Sequence, residues 1–263
     1  HRRGRRVGRR RLRARPDARA QGEGRGRDGR GPHRGTLRGG QLQDHSVGHL
    51  HLARDRLGGA HGRAGEGERQ ADGSAVLLGP NRAVHISPAD QSGLLAAAYR
   101  LASAQHLGEL RQRLEQKCCP VADIDSPLLD AGAFSIRDPQ GRETIFGTSS
   151  TLQHADLPGM PGRLQHVVFQ TTELEAVVDF YVNTVGFTIS DNVVDAQSGQ
   201  LMVCFLRSDD EHHSLAFFRG SRNEWDHHCY ETNEWNDIRD WGDRFAKEHI
   251  NIFFGPGRHG PGN

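Results

Sequence analysis

Four histidine contexts fall within the last hundred residues of the chain: Gln165-His166-Val167-Val168-Phe169, Glu211-His212-His213-Ser214-Leu215, Asp226-His227-His228-Cys229-Tyr230 and Gly257-Arg258-His259-Gly260. Imidazole ligates divalent metals and exchanges protons near neutral pH. Each of these histidines lies on or beside a short apolar, strand-like run, so several strands can aim rings at one centre. A non-heme Fe(II) site of two histidines and one carboxylate has this character. The carboxylate is the missing part.

The elements that must position these rings can be read from pattern. Residues 164–171 are strand-like, 173–184 form a helix ended by Gly186, and 188–194, 201–207 and 214–218 supply three further strands. A strand at 228–232, a helix at 234–249 carrying Ile238, Trp241 and Phe245 on one face, and a strand at 250–254 begin another copy of the same unit. The hairpin that would close this copy is expected beyond Asn263. Upstream, 81–87 and 95–101 read as strands, and Leu107, Leu110 and Leu114 recur at helical spacing across 104–117. The segment 133–137, the Pro-Gly turn Asp138-Pro139-Gln140-Gly141-Arg142 and the segment 143–146 complete a strand, helix and hairpin unit.

Composition divides the chain near Ser74. Residues 1–73 hold 19 of the 34 Lys+Arg, all of them Arg, and 17 of the 33 Gly, with no Phe, Trp, Tyr, Ile, Met, Asn or Lys. Against eight acids this gives +11, and the remainder, with 15 bases and 25 acids, carries −10, so the net charge of +1 conceals opposite halves. Such a segment buries too little apolar surface to offset chain entropy and is expected to be disordered. A basic tail that binds nucleic acid by counterion release is one reading, and a native disordered linker is another. The absence of every amino acid with AT-rich codons favours translation of GC-rich DNA in a shifted frame, and nucleic acid is not expected as a partner.

The basic N-terminus is followed by no apolar core of a secretory signal, and no run of about 18 apolar residues would span a membrane. A cytoplasmic protein is expected. Cys118, Cys119, Cys204 and Cys229 match neither a zinc pair nor a disulfide framework and read as reduced thiols.

With these features in order, the chain resembles the vicinal-oxygen-chelate superfamily, and within it the type I extradiol dioxygenases that cleave catechols. The resemblance covers roughly 74–263 and is strongest from 164 onward. It implies an α+β fold of tandem βαβββ modules with the last incomplete: a partial N-terminal domain at 74–150 and a truncated metal-binding domain at 164–263. Carried over by position, it implies His166 and His228 as metal ligands, His213 as the acid-base residue fifteen positions before His228, and His259 as the residue beside the substrate. A Tyr beside the substrate and the Glu ligand would follow Asn263. It further implies Fe(II), with Mn(II) accepting similar ligands, a catechol and O₂ as substrates, and a homo-oligomer.

Other readings stay open. A glyoxalase or thiol transferase of the same superfamily would use a similar metal cage, and a drug-binding member would carry no metal. His213 with His259 favours the dioxygenases, because a binding module has no need of paired acid-base imidazoles. His85, His106, His154 and His249 read as surface or capped residues, and Trp225, Trp235 and Trp241 as structural. Adjacent side chains on a strand point to opposite faces, so only one of His212/His213 and one of His227/His228 can face the metal.

Overall fold

The computed structural model describes residues 49–54, 71–79, 81–90, 92–150 and 162–252, the first of these as backbone only. It is an α+β structure of two mixed sheets and three α-helices among the described residues.

The first complete unit starts at β4, Gly93–Arg100, and passes into α1, Ala104–Gln116. Ser103 begins the helix by accepting the His106 backbone N–H at 3.2 Å, which satisfies one of the first-turn amides. Leu107, Leu110 and Leu114 form its buried stripe. After β5, Ala122–Asp123, come β6, Phe134–Arg137, and β7, Glu143–Gly147, which pairs parallel with β4. The β6–β7 turn is held by Asp138, whose Oδ1 accepts the backbone N–H of Gln140 at 2.8 Å and of Arg142 at 3.0 Å.

The second unit repeats the plan. β8, Arg163–Thr171, leads to α2, Leu174–Asp179, which widens into a π-helical turn at Phe180–Val185. Gly186 ends it at φ +103°, and the Arg113 guanidinium, which donates to the Val185 carbonyl, occupies the space a Cβ would need. A side chain there meets both backbone strain and a clash. Then follow β9, Thr188–Val194, β10, Leu201–Arg207, and β11, Leu215–Arg219, with β11 parallel to β8. The pieces β12, Glu224–Glu231, and α3, Trp235–Lys247, open a further unit.

Both sheets are joined across an antiparallel pair of unit-opening strands. The second has the order β12-β8-β11-β10-β9, with β12 antiparallel to β8. The first has the order β2-β3-β1-β4-β7-β6-β5, where β1 is His49–Arg54, β2 is Ala75–Gly79 and β3 is Arg82–Pro88. Here β1 is antiparallel to β4 and parallel to β3. Within the 1–73 segment, expected to be disordered, residues 49–54 form β1. Leu50 and Leu52 alternate with His49, His51 and Ala53 in a local strand pattern that the composition of the whole segment hides. The other residues before 71 lie outside the described residues.

Two boundaries differ from expectation. β12 begins at Glu224 rather than 228, because the whole stretch pairs with β8. Residues 250–252 form no strand, and the rest of that expected strand lies outside the described residues. One core joins the sheets, with Tyr99 against Phe187, Phe134 against Phe146 and Tyr181 against Phe217. The Tyr181 hydroxyl lies 2.9 Å from Thr144 Oγ1, so this contact between units keeps its polar atoms satisfied.

Candidate metal and acid-base site

Strand register decides which histidines meet. Residues opposite one another in an antiparallel pair share a face of the sheet. His227 opposes Val168, whose face carries Phe205 and Ala216; His228 opposes Val167, whose face joins the main core with Phe169. Pairing steps from Trp225↔Phe169 to His227↔Val168, so Asp226 is a bulge residue. That extra residue puts Trp225 and His228 on one face, where their rings stack with centroids 5.4 Å apart and planes 8° apart.

On the opposite face the His166 ring lies 4.2 Å from that of His213 and 5.7 Å from that of His227. His166 is 7% exposed and His213 2%, with Phe205 edge-on to His213 at 4.9 Å. His213 sits on the approach to β11, and its backbone carbonyl accepts the Gln165 side-chain N–H at 2.9 Å.

Hydrogen bonds to the Nδ1 atoms constrain what each ring can do. His166 Nδ1 bonds the Gln165 amide oxygen, and His227 Nδ1 bonds the Asp226 carboxylate. In each case an oxygen accepts from an Nδ1–H, the kind of contact that orients a metal-ligating imidazole. The Nδ1 atoms of His212 and His213 are 2.9 Å apart, so one proton is shared between them. With it on His212, His213 presents Nε2–H as a hydrogen-bond donor; with it on His213, Nε2 is a base. His228 Nδ1 is buried with no hydrogen-bond partner, and burial, then the neighbouring His227, lowers the pKa of its ring.

The structure thus brings His166 and His213 together and adds His227. It places His228, expected from the family resemblance to be the partner ligand of His166, on the other face of the sheet against Trp225. Alternation along the strand shows that only one of the two can face the site, but the bulge at Asp226 selects which. His259 lies outside the described residues. Among the described residues, no group of three His, Cys, Asp or Glu side chains is arranged to hold a metal ion. Two residues not anticipated from sequence belong to the surroundings of the site: Gln165, which follows no motif, and Arg82, 84 positions before His166 and close to it only through the packing of the two sheets.

Residues 163–263 match the family described as the Glyoxalase/Bleomycin resistance protein/Dioxygenase superfamily. This domain belongs to that superfamily. Beyond the domain, the chain is 27% identical over 228 residues to 3-methylcatechol 2,3-dioxygenase of Pseudomonas putida, covering 79% of this chain and 76% of that one. Metapyrocatechase 2 of Cupriavidus necator is 28% identical over 102 residues, 38% of this chain, and the match spans 30% of its own length. The crystal structure of the 2,3-dioxygenase LapB from Pseudomonas sp. KL28 superposes with a TM-score of 0.68 at 16% identity, covering 82% of this chain and 84% of that one. Its likeness shows the vicinal-oxygen-chelate fold. No helix among the described residues is long and apolar enough to cross a membrane.

Proposed function

We propose that the protein is an extradiol dioxygenase that opens the ring of a catechol with O₂ at a non-heme Fe(II). The observation that carries this reading is the convergence of His166, His213 and His227 on one face of a superfamily domain whose relatives are named catechol dioxygenases. His166 and His227, each held through Nδ1 by a neighbouring oxygen, would hold the metal, imidazole nitrogen being a donor suited to Fe(II) or Mn(II). A carboxylate to complete the set is not among the described residues. Bound there, the metal supplies the electronic path between a catechol and O₂.

The chain's own residues have separate tasks. His213, buried beside His166 and walled by Phe205, holds a proton at Nε2 or takes one there, through the proton shared with His212. An acid-base imidazole of this kind contributes about 10² to 10⁴ in rate. Burial on this face limits water at the point of proton transfer. His259 is assigned, by family resemblance, to hydrogen-bond the substrate.

The test is incubation of the anaerobically Fe(II)-loaded protein with a panel of catechols and O₂. A yellow ring-opened product is expected. Inactivity on the panel together with isomerisation of a glutathione hemithioacetal would instead identify a glyoxalase.

A further inference from the structure

Two adjacent cysteines close α1 and take no part in the histidine site. Cys118 and Cys119 are followed by Pro120, and the structure divides them: Cys118 is exposed, while Cys119 is 8% exposed and belongs to the main core cluster with Leu114. The division follows from how the helix ends. Cys118 takes a left-handed backbone at φ +55°, and its N–H donates to the Glu115 carbonyl at 2.9 Å. The Cys119 N–H reaches back to the Leu114 carbonyl, also at 2.9 Å. These two bonds make a Schellman ending, in which the left-handed position is usually glycine and the residue after it packs on the last turn. A Cβ in that conformation crowds the following carbonyl, so Cys118 is held there by the cap and not by its own preference.

The two thiols therefore differ in reach. Burial pushes the Cys119 thiol up, and its Sγ donates to the Pro120 carbonyl at 3.8 Å. Cys118 is the sulfur that an oxidant arriving from solvent meets first. The last turn also bears Arg113, whose guanidinium donates to the Val185 carbonyl at the end of the π-helical turn. The pair thus sits beside a tie between the two units.

We propose that Cys118 and Cys119 form a peroxide-sensitive dithiol site, and that their closure into a disulfide releases the end of α1. The Cys118 sulfur attacks one oxygen of hydrogen peroxide; the O–O bond breaks, and the departing hydroxide takes the thiol proton and leaves as water. The Cys119 sulfur then displaces the hydroxyl of that sulfenic acid, which leaves with the Cys119 proton as a second water. Two thiols are oxidised to one disulfide, and the peroxide is reduced to two waters. Adjacent Cα atoms lie about 3.8 Å apart, less than the roughly 4.4 to 6.8 Å usual across a disulfide, so the bond is strained and readily reduced again. With one sulfur in solvent and the other in the core, closing it draws Cys119 away from Leu114, and the cap hydrogen bonds of both residues are lost. This chemistry is independent of the histidine site.

The full-length chain is treated with one equivalent of hydrogen peroxide at pH 8, unfolded in iodoacetamide and digested with trypsin. Peptide 118–137 should carry the mass of its dithiol less two hydrogen atoms, with no alkyl group added. Brief trypsin treatment of the folded protein should cut after Lys117 several-fold faster in the oxidised than in the reduced form, and dithiothreitol should reverse the difference. Cys118→Gly supplies the residue that suits the left-handed position, and its cleavage after Lys117 should not respond to peroxide. Cys119→Ala should stop at oxygen adducts of Cys118. A wild-type Cys118 sulfinic acid beside an alkylated Cys119, a bridge from Cys118 to a second chain, or unchanged cleavage after Lys117 overturns the proposal. So does a dithiol peptide that peroxide leaves intact.

Discussion

His227 and His228 are neighbours on β12 and serve opposite sides of the sheet: His227 meets His166 edge-on at 5.7 Å, and His228 stacks on Trp225 at 5.4 Å. The family pattern assigns the ligand role to His228, whereas the bulge at Asp226 puts His227 on the face of His166. A slip of one residue exchanges every side chain on the strand between faces. Replacing each in turn by Ala and measuring bound Fe(II) separates the two. His227→Ala should lose metal and His228→Ala should retain it; the reverse result shows that the bulge lies elsewhere in the active protein.

If His213 acts as the proposed acid-base residue, replacing it by Phe should slow ring opening by about 10² to 10⁴ while sparing iron content. Metal analysis beside turnover measures both. Loss of iron in parallel with activity would make His213 a ligand.

Thr144→Val should leave the Tyr181 hydroxyl buried without its partner, at a cost of about 1–3 kcal/mol in urea unfolding. Adding Tyr181→Phe to it removes the orphan hydroxyl. The double variant should therefore be more stable than Thr144→Val alone.

Burial holds the His85 imidazole below its ordinary value, with Asp72 opposing. The unfolded chain then binds the proton more readily than the native one. The resulting stabilisation is complete above about pH 6.5, the unfolded value, and is lost as pH falls from there toward the folded value. Urea midpoints at pH 7.5 and pH 5 should differ less in His85→Leu than in wild type.

Cys204 is fully buried, with its thiol pushed up to about 11, whereas Cys118 is exposed. Iodoacetamide at pH 8 should label Cys118 in the native protein and leave Cys204 until denaturant is added. Mass spectrometry of tryptic peptides reads the order.

Short-range pattern was enough to locate most elements. The helix of Leu107, Leu110 and Leu114, the turn at Asp138 and Gly141, and the strands from 164 to 218 all declare themselves through period, capping or turn chemistry, which are properties of neighbours in the chain. The His166 and His213 contexts were likewise readable, as residue types in order. What the sequence could not contain is anything set by pairing between distant segments. The strand at His49–Arg54 is set by its partners β3 and β4, and its His-Leu alternation is masked by the Arg-Gly composition around it. The choice between His227 and His228 depends on where the β8–β12 ladder is interrupted, and a single bulge residue reverses it. Arg82 reaches the site because two sheets pack together, burying a charge that Asp209 and Glu211, more than a hundred positions away, help to balance. Periodicity is a local property of the chain; register and the packing of one sheet on another belong to the folded molecule.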